Sequence, residues 1–221
     1  MPCKNGRVRA DAMANREKLL DAASAVFAER GIDAPLTLLP ERANLGKGTL
    51  YRHFADRDAV ILGLAARLRI RFAGIVEAAD AAESGWDAIV TYIDGATAMY
   101  LDLPWLGAVR ARARQLAPSD GRFELAVRLV IERARAEGSL RADVDPTDVV
   151  FAPAMLAGFV DLPEPMRSVV MARQRDIILD GLRAPGVPRP QLGGNPLTIE
   201  RLRAYTDGDA DSSADVTASG A

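Results

Sequence analysis

Apolar residues recur at three- and four-residue steps along most of this chain, and nowhere do they alternate as one face of a strand requires. Leu19, Leu20, Ala23, Val26 and Phe27 open the pattern, and Val60, Ile61, Leu64, Leu68 and Phe72 repeat it. A helical period buries only one stripe of each segment, so the segments must pack on one another. The chain is therefore expected to be all-α. Asn15 reads as the N-cap of the first helix and Gly31 as the residue that stops it. A short helix is expected over about 36–43, with Pro40 tolerable within its first turn. The turn Asn44-Leu45-Gly46 precedes a second short helix over 47–54, and Asp56 caps a longer one. Beyond residue 77, helices are expected at about 86–101, 104–116, 120–137, 146–160 and 163–183. Their boundaries are Pro104, Pro118, Gly138 and the Asp145-Pro146 and Leu162-Pro163 steps.

Several function classes are excluded on simple grounds. A single cysteine, Cys3, permits neither an intramolecular disulfide nor a Cys-rich zinc site. A single histidine, His53, leaves a His-centred triad or multi-His metal site with one member. No Gly-rich phosphate loop of the usual spacing occurs, and no nucleophile–base pair stands out. No enzyme activity, cofactor or metal is expected. The longest uncharged apolar run, 149–160, has 12 residues, short of the ~18 of a membrane span. The first residues carry no signal-peptide pattern. A soluble, cytoplasmic protein is expected.

Charge is unevenly placed. Residues 1–71 hold 13 Lys and Arg against 8 Asp and Glu, a net of +5, while the remainder carries −7. A basic third joined to an acidic remainder suggests a polyanion-binding module attached to a part with another task. Residues 1–14, with Lys4, Arg7 and Arg9, are expected to be a mobile basic arm. Residues 185–221 begin with four Pro and three Gly by residue 196 and end in an acidic, small-residue tail. That region is expected to be largely disordered, with 197–205 able to form a turn or two.

Helix, turn, short helix, short turn, short helix is the layout of a helix-turn-helix unit. A recognition helix must be slim where it enters a major groove about 12 Å wide, and Gly46 and Gly48 supply that slimness. Lys47, Thr49 and Arg52 offer donors to phosphates and base edges, and Tyr51 and His53 can reach phosphates. Leu50 and Phe54, four apart, share the inward face. The segment Gly46-Lys47-Gly48-Thr49-Leu50-Tyr51-Arg52-His53-Phe54, with AxxVFAERG before it and ADRDAV after it, closely resembles the DNA-binding domain of the tetracycline-repressor (TetR/AcrR) family. The resemblance covers roughly residues 13–73, with the helix-turn-helix at about 35–54. It implies that Lys47, Gly48, Thr49, Tyr51, Arg52 and His53 form the DNA-facing segment and that Arg57 contacts the DNA backbone. The pre-turn helix departs from the family pattern: Pro35 stands where a small hydroxyl cap is usual and Pro40 where a small alanine is usual. Thr37 is the candidate displaced cap.

The resemblance further implies that 74–184 forms a helical regulatory and dimerisation domain. Tyr92, Met99, Tyr100, Trp105, Phe123, Phe151, Met155 and Phe159 are the candidate lining of a ligand pocket, although aromatic and Met residues at helical spacing are more often core. Arg110, Arg112 and Arg114 alternate, so only Arg110 and Arg114 share a face, most simply a solvated one. The helices at 146–160 and 163–183 are the candidate dimer face. The expected protein is a ligand-responsive regulator, most simply a repressor. It would bind a palindromic double-stranded operator as a homodimer and be released by a mostly apolar small-molecule effector. A helical small-molecule-binding protein of the same fold with little DNA affinity is the alternative, supported by the two prolines.

Overall fold

The computed structural model describes residues 4–118, 121–193 and 196–206. Its ten helices among these residues are α1 (Lys4–Arg30), α2 (Leu38–Arg42), α3 (Lys47–His53), α4 (Arg57–Asp80) and α5 (Gly85–Asp102), then α6 (Leu106–Leu116), α7 (Arg122–Ala136), α8 (Pro146–Ala157), α9 (Met166–Leu182) and α10 (Ile199–Thr206). The fold is all-α, as the apolar period requires. The remainder of the acidic tail, 207–221, and Cys3 lie outside the described residues. The chain divides into two compact units, Met1–Ile75 with Asp102–Phe123, and Val76–Leu101 with Glu124–Ala221.

In the first unit the buried stripe of α1 is Leu19, Leu20, Ala23, Val26 and Phe27. Gly31 ends the helix with φ 77°, a left-handed conformation that other residues resist. The helix starts at Lys4 rather than at Asn15, so the basic arm is helical over 4–14. Ala10, Ala12, Met13 and Ala14 are strong helix formers there, and helix needs no burial to propagate from an anchored segment. Helix α2 is shorter than expected. Thr37 stands at its N-cap position but makes no side-chain capping bond, because its backbone is already helical at φ −62°, ψ −18°. Pro40 falls in the first turn, where its missing N–H costs nothing, and its ring is buried.

Asn44, at φ 52°, closes α2. The Leu45 N–H donates to the Pro40 carbonyl at 2.8 Å and the Asn44 N–H to that of Glu41 at 3.2 Å, the paired bonds of a Schellman turn. Gly46 is extended (φ −70°, ψ 147°), so only Asn44 of the two flanking residues uses the left-handed region. Asp56 caps α4 as expected, its Oδ1 accepting from the Ala59 N–H at 2.8 Å.

Residues 102–123 pack within this first unit. Trp105 explains much of this: its ring is buried and its Nε1 donates to Ser24 Oγ on α1 at 3.2 Å. Arg112 on α6 forks onto both Asp58 oxygens on α4 at 3.0 and 2.8 Å, and Arg71 reaches Asp102 at 3.0 Å.

The second unit is built on α5 and α7. Ile89, Ile93, Ala96 and Met99 are buried along α5, with Val127, Ile131 and Ala134 buried along α7. Arg133 donates to the carbonyls of Asp80, Ala82 and Glu83, stitching the α4–α5 turn to α7. Asp145 and Asp148 form a reciprocal capping box at the start of α8. That helix stops at Ala157 rather than Val160, with Gly158 closing it. Helices α8 and α9 pack together.

Candidate nucleic-acid interface

The turn geometry just described delivers α3 with one face in and one face out. Leu50 is fully buried and Phe54 nearly so, and α3 packs on both α1 and α2. Lys47, Gly48, Tyr51 and Arg52 are exposed, while Thr49 and His53 are half-buried. Tyr51 alone leaves 57% of its surface accessible, an unusual cost for an aromatic ring unless it has a partner. The exposed set presents an ammonium, a guanidinium and a phenol on one short helix, where charged donors suit phosphate oxygens and base edges. No side chain would meet the Gly48 or Gly46 Cβ within 4 Å, so these glycines open space outward instead of relieving an internal clash.

Behind α3, the support is tight. The Arg16 guanidinium of α1 lies 5.2 Å from the centroid of the Phe54 ring. Gly63 of α4 lets three side chains converge: a Cβ there would lie 2.9 Å from Leu20 Cδ2, 3.2 Å from Phe54 Cε1 and 3.3 Å from Arg16 Nη2. Arg67 of α4 bonds Glu17 Oε2 at 2.6 Å and Asp21 Oδ1 at 2.7 Å, locking α4 to α1.

Arg57, the first residue of α4, is held from within the fold. Its guanidinium donates to the carbonyl oxygens of Ile32, of Asp33 at 3.2 Å and of Ala34 at 2.8 Å. The turn after α1 leaves those carbonyls without helical partners, and a planar guanidinium satisfies several at once. In this arrangement Arg57 positions the α1–α2 turn against α4. Arg57→Ala is expected to lower stability by about 1–3 kcal/mol, the typical cost of removing a charged donor from such acceptors. Arg57→Lys should recover little, because an ammonium cannot reproduce the fork. Urea unfolding followed by circular dichroism measures both; a wild-type midpoint in Arg57→Ala would contradict the assignment.

The described candidate pocket residues of the second unit divide between its interior and its surface. Tyr92 and Met99 are buried on α5 and Tyr100 is half-buried. Trp105 belongs to the first unit, beside Ser24. Phe151 and Met155 face outward from α8, at 57% and 62% exposure, and Phe159 is half-buried beyond its end. The Phe123 side chain lies outside the described set. Aromatic spacing identified core and surface positions together, since both obey a helical period.

The second unit instead shows a cleft of about 210 Å³ among α5, α8 and α9, lined by Asp94, Thr97, Leu101, Leu156, Met171 and Arg175. Arg175 grips both Asp94 oxygens, at 2.5 and 2.7 Å, and that hydrogen-bonded carboxylate raises the guanidinium pKa. Nothing in the sequence marked this pair: the residues stand on separate helices and each looks like an ordinary surface charge. Among the described residues, no group of three or more His, Cys, Asp or Glu is arranged to hold a metal ion. No helix described is long and apolar enough to cross a membrane.

A short, outward-facing basic helix, braced by two others through a tight turn, defines a helix-turn-helix DNA-binding regulator. The model of the family described as bacterial regulatory proteins, tetR family, matches residues 19–64. A TetR transcriptional regulator from Streptomyces coelicolor is 32% identical, covering 77% of this chain and 99% of that one with a TM-score of 0.51. The chain belongs to the TetR family of transcriptional regulators. A TetR transcription regulatory protein from Mycobacterium vanbaalenii is 25% identical over 80% of this chain and 99% of its own, with a TM-score of 0.51. A gamma-butyrolactone receptor described as ArpA-like shares the fold at 22% identity, covering 80% of this chain and 92% of its own, with a TM-score of 0.56. No curated protein matches the chain.

Proposed function

We propose that this chain binds a palindromic double-stranded operator as a homodimer, represses transcription in the cytoplasm, and is released by a mostly apolar small-molecule effector. The observation that carries the DNA-binding part is the division of α3: Leu50 and Phe54 buried, Lys47, Tyr51 and Arg52 presented outward. Lys47, Gly48, Thr49, Tyr51, Arg52 and His53 form the proposed contact segment, with Arg57 at the start of α4 as the proposed DNA-backbone contact. The dimer reading rests on α8 and α9, which expose Phe151, Met155 and Ile177 on helices that pack together. Large apolar side chains left open on adjacent helices favour a self-complementary interface, and a two-fold dimer suits a two-fold site.

The effector is proposed to bind in the second unit at the cleft beside the Asp94–Arg175 pair. At about 210 Å³ it is smaller than the ~300 Å³ lower end of ligand pockets, so an occupant must part α5, α8 and α9. An occupant that favours the parted state has the unequal affinity that release from DNA demands.

Genome-wide mapping of bound sites, followed by gel shift on a mapped site and light scattering of the free protein, tests the reading. Specific, salt-sensitive binding by a dimer is expected. A monomer at micromolar concentration removes the dimer part, and no binding that exceeds random DNA leaves the helical small-molecule-binding protein as the better description.

A further inference from the structure

Among the described side chains of α1, none from Val8 to Lys18 is buried, and Leu19 is the first that is. The helix runs from Lys4, and its sequence is basic at its outer end: residues 1–10 contain Lys4, Arg7 and Arg9 and no Asp or Glu. Its root is fixed beside the recognition helix, because Arg16 lies over the ring of Phe54, the residue that ends α3. At 1.5 Å per residue, the helix from Arg16 to Lys4 spans about 18 Å, roughly half of the ~34 Å turn of B-DNA.

We propose that this helical extension is a second DNA contact, lying against the phosphate backbone of duplex that flanks the α3 site. Two observations support DNA as the occupant. The cations at the outer end complement a polyphosphate, and the stretch is continuous with the proposed α3 interface through Arg16 and Phe54. Val8 and Met13, both exposed, alternate with the polar residues and form no apolar stripe suited to a protein groove. The contact is electrostatic and blind to sequence, since Lys and Arg on phosphates carry no base information. The proposal rests on the DNA-binding reading above, and its test separates the two.

The test measures operator and random-duplex affinity from 50 to 200 mM salt for wild type and for the triple variant Lys4→Gln, Arg7→Gln, Arg9→Gln, which retains helix-forming side chains. Each lost phosphate contact should make the slope of log K against log salt shallower by about 0.9. Three contacts give a change near 2.7, so the wild-type advantage should shrink by about 40-fold across that salt range, on operator and random duplex alike. Hydroxyl-radical footprints should lose protection outside the α3 site. A complementary variant, Asp11→Lys, keeps the test decisive if the triple variant folds poorly: it should steepen the slope by about 1. Unchanged slopes and footprints in both variants, with wild type still bound to operator, would overturn the extension proposal alone. Wild type that fails to bind operator at any salt would overturn the DNA-binding reading first. Slopes that change on operator but not on random duplex would also defeat the proposal, because they would indicate base readout.

Discussion

Gly85→Ala is expected to destabilise the second unit more than any other single methyl addition considered at its glycines. An alanine Cβ at this position would lie 2.3 Å from the Ala134 backbone N and 2.5 Å from its Cα. These are main-chain atoms inside α7, so no rotamer change relieves the overlap; α5 must move off α7. That shift would break the bond from the Gly85 N–H to Glu137 Oε2, at 2.6 Å, and loosen the buried residues Trp86, Ala88 and Ile89 that follow. Overpacking and a lost charge-assisted bond together cost about 2–4 kcal/mol. At roughly 2–4 °C per kcal/mol for a chain of this size, the melting temperature should fall by about 5–15 °C. Gly107→Ala is the control. Its Cβ would meet nothing within 4 Å, and alanine is the better helix former by about 1 kcal/mol. Calorimetry showing the two variants equally stable would remove the close α5–α7 approach from this account.

Loss of the α3 side chains should have the largest effect on DNA affinity while leaving the fold intact. Lys47 and Tyr51 are exposed, so truncating them removes little packing. Lys47→Ala is expected to weaken operator binding by about 10–100-fold and to change base preference, in line with the ~1–3 kcal/mol of a good base contact. Tyr51→Ala should weaken binding to all duplexes alike, and Tyr51→Phe should reproduce most of that loss if the hydroxyl meets a phosphate. Leu50→Ala gives the opposite signature, because Leu50 is fully buried: about 2–5 kcal/mol of stability lost, with α3 displaced as a consequence. Gel shifts beside thermal melts distinguish the two classes. Wild-type affinity in both Lys47→Ala and Tyr51→Ala would sink the assignment of α3 as the contact helix.

Much of this protein was already determined along the chain. The helical period selected the fold class, because a stripe of apolar residues at three- and four-residue steps has no stable solution except against other helices. Local chemistry set the turns: Gly31 needed a positive φ, Asn44 tolerated one, and Asp56 supplied a cap. The separation of Leu50 and Phe54 from Lys47, Tyr51 and Arg52 was also legible, since four-residue spacing decides which side chains share a face. These features depend on interactions within a few residues, and that is the range over which sequence pattern carries physical information.

Tertiary structure decided what depends on partners far apart in the chain. Arg57 became a clamp on the carbonyls of Ile32, Asp33 and Ala34 because folding brought α4 against the α1–α2 turn. Trp105 and Arg112 drew residues 102–123 into the first unit through Ser24 and Asp58. Asp94 and Arg175 met across a cleft that aromatic spacing did not locate. Helical period reports that a side chain faces inward or outward but not which helix it will meet, because residues on any two apolar faces look alike until the helices pack. A guanidinium on a helix surface is in the same position. Whether it contacts solvent, a carboxylate or an unpaired carbonyl is settled only by what the fold brings within 3 Å of it.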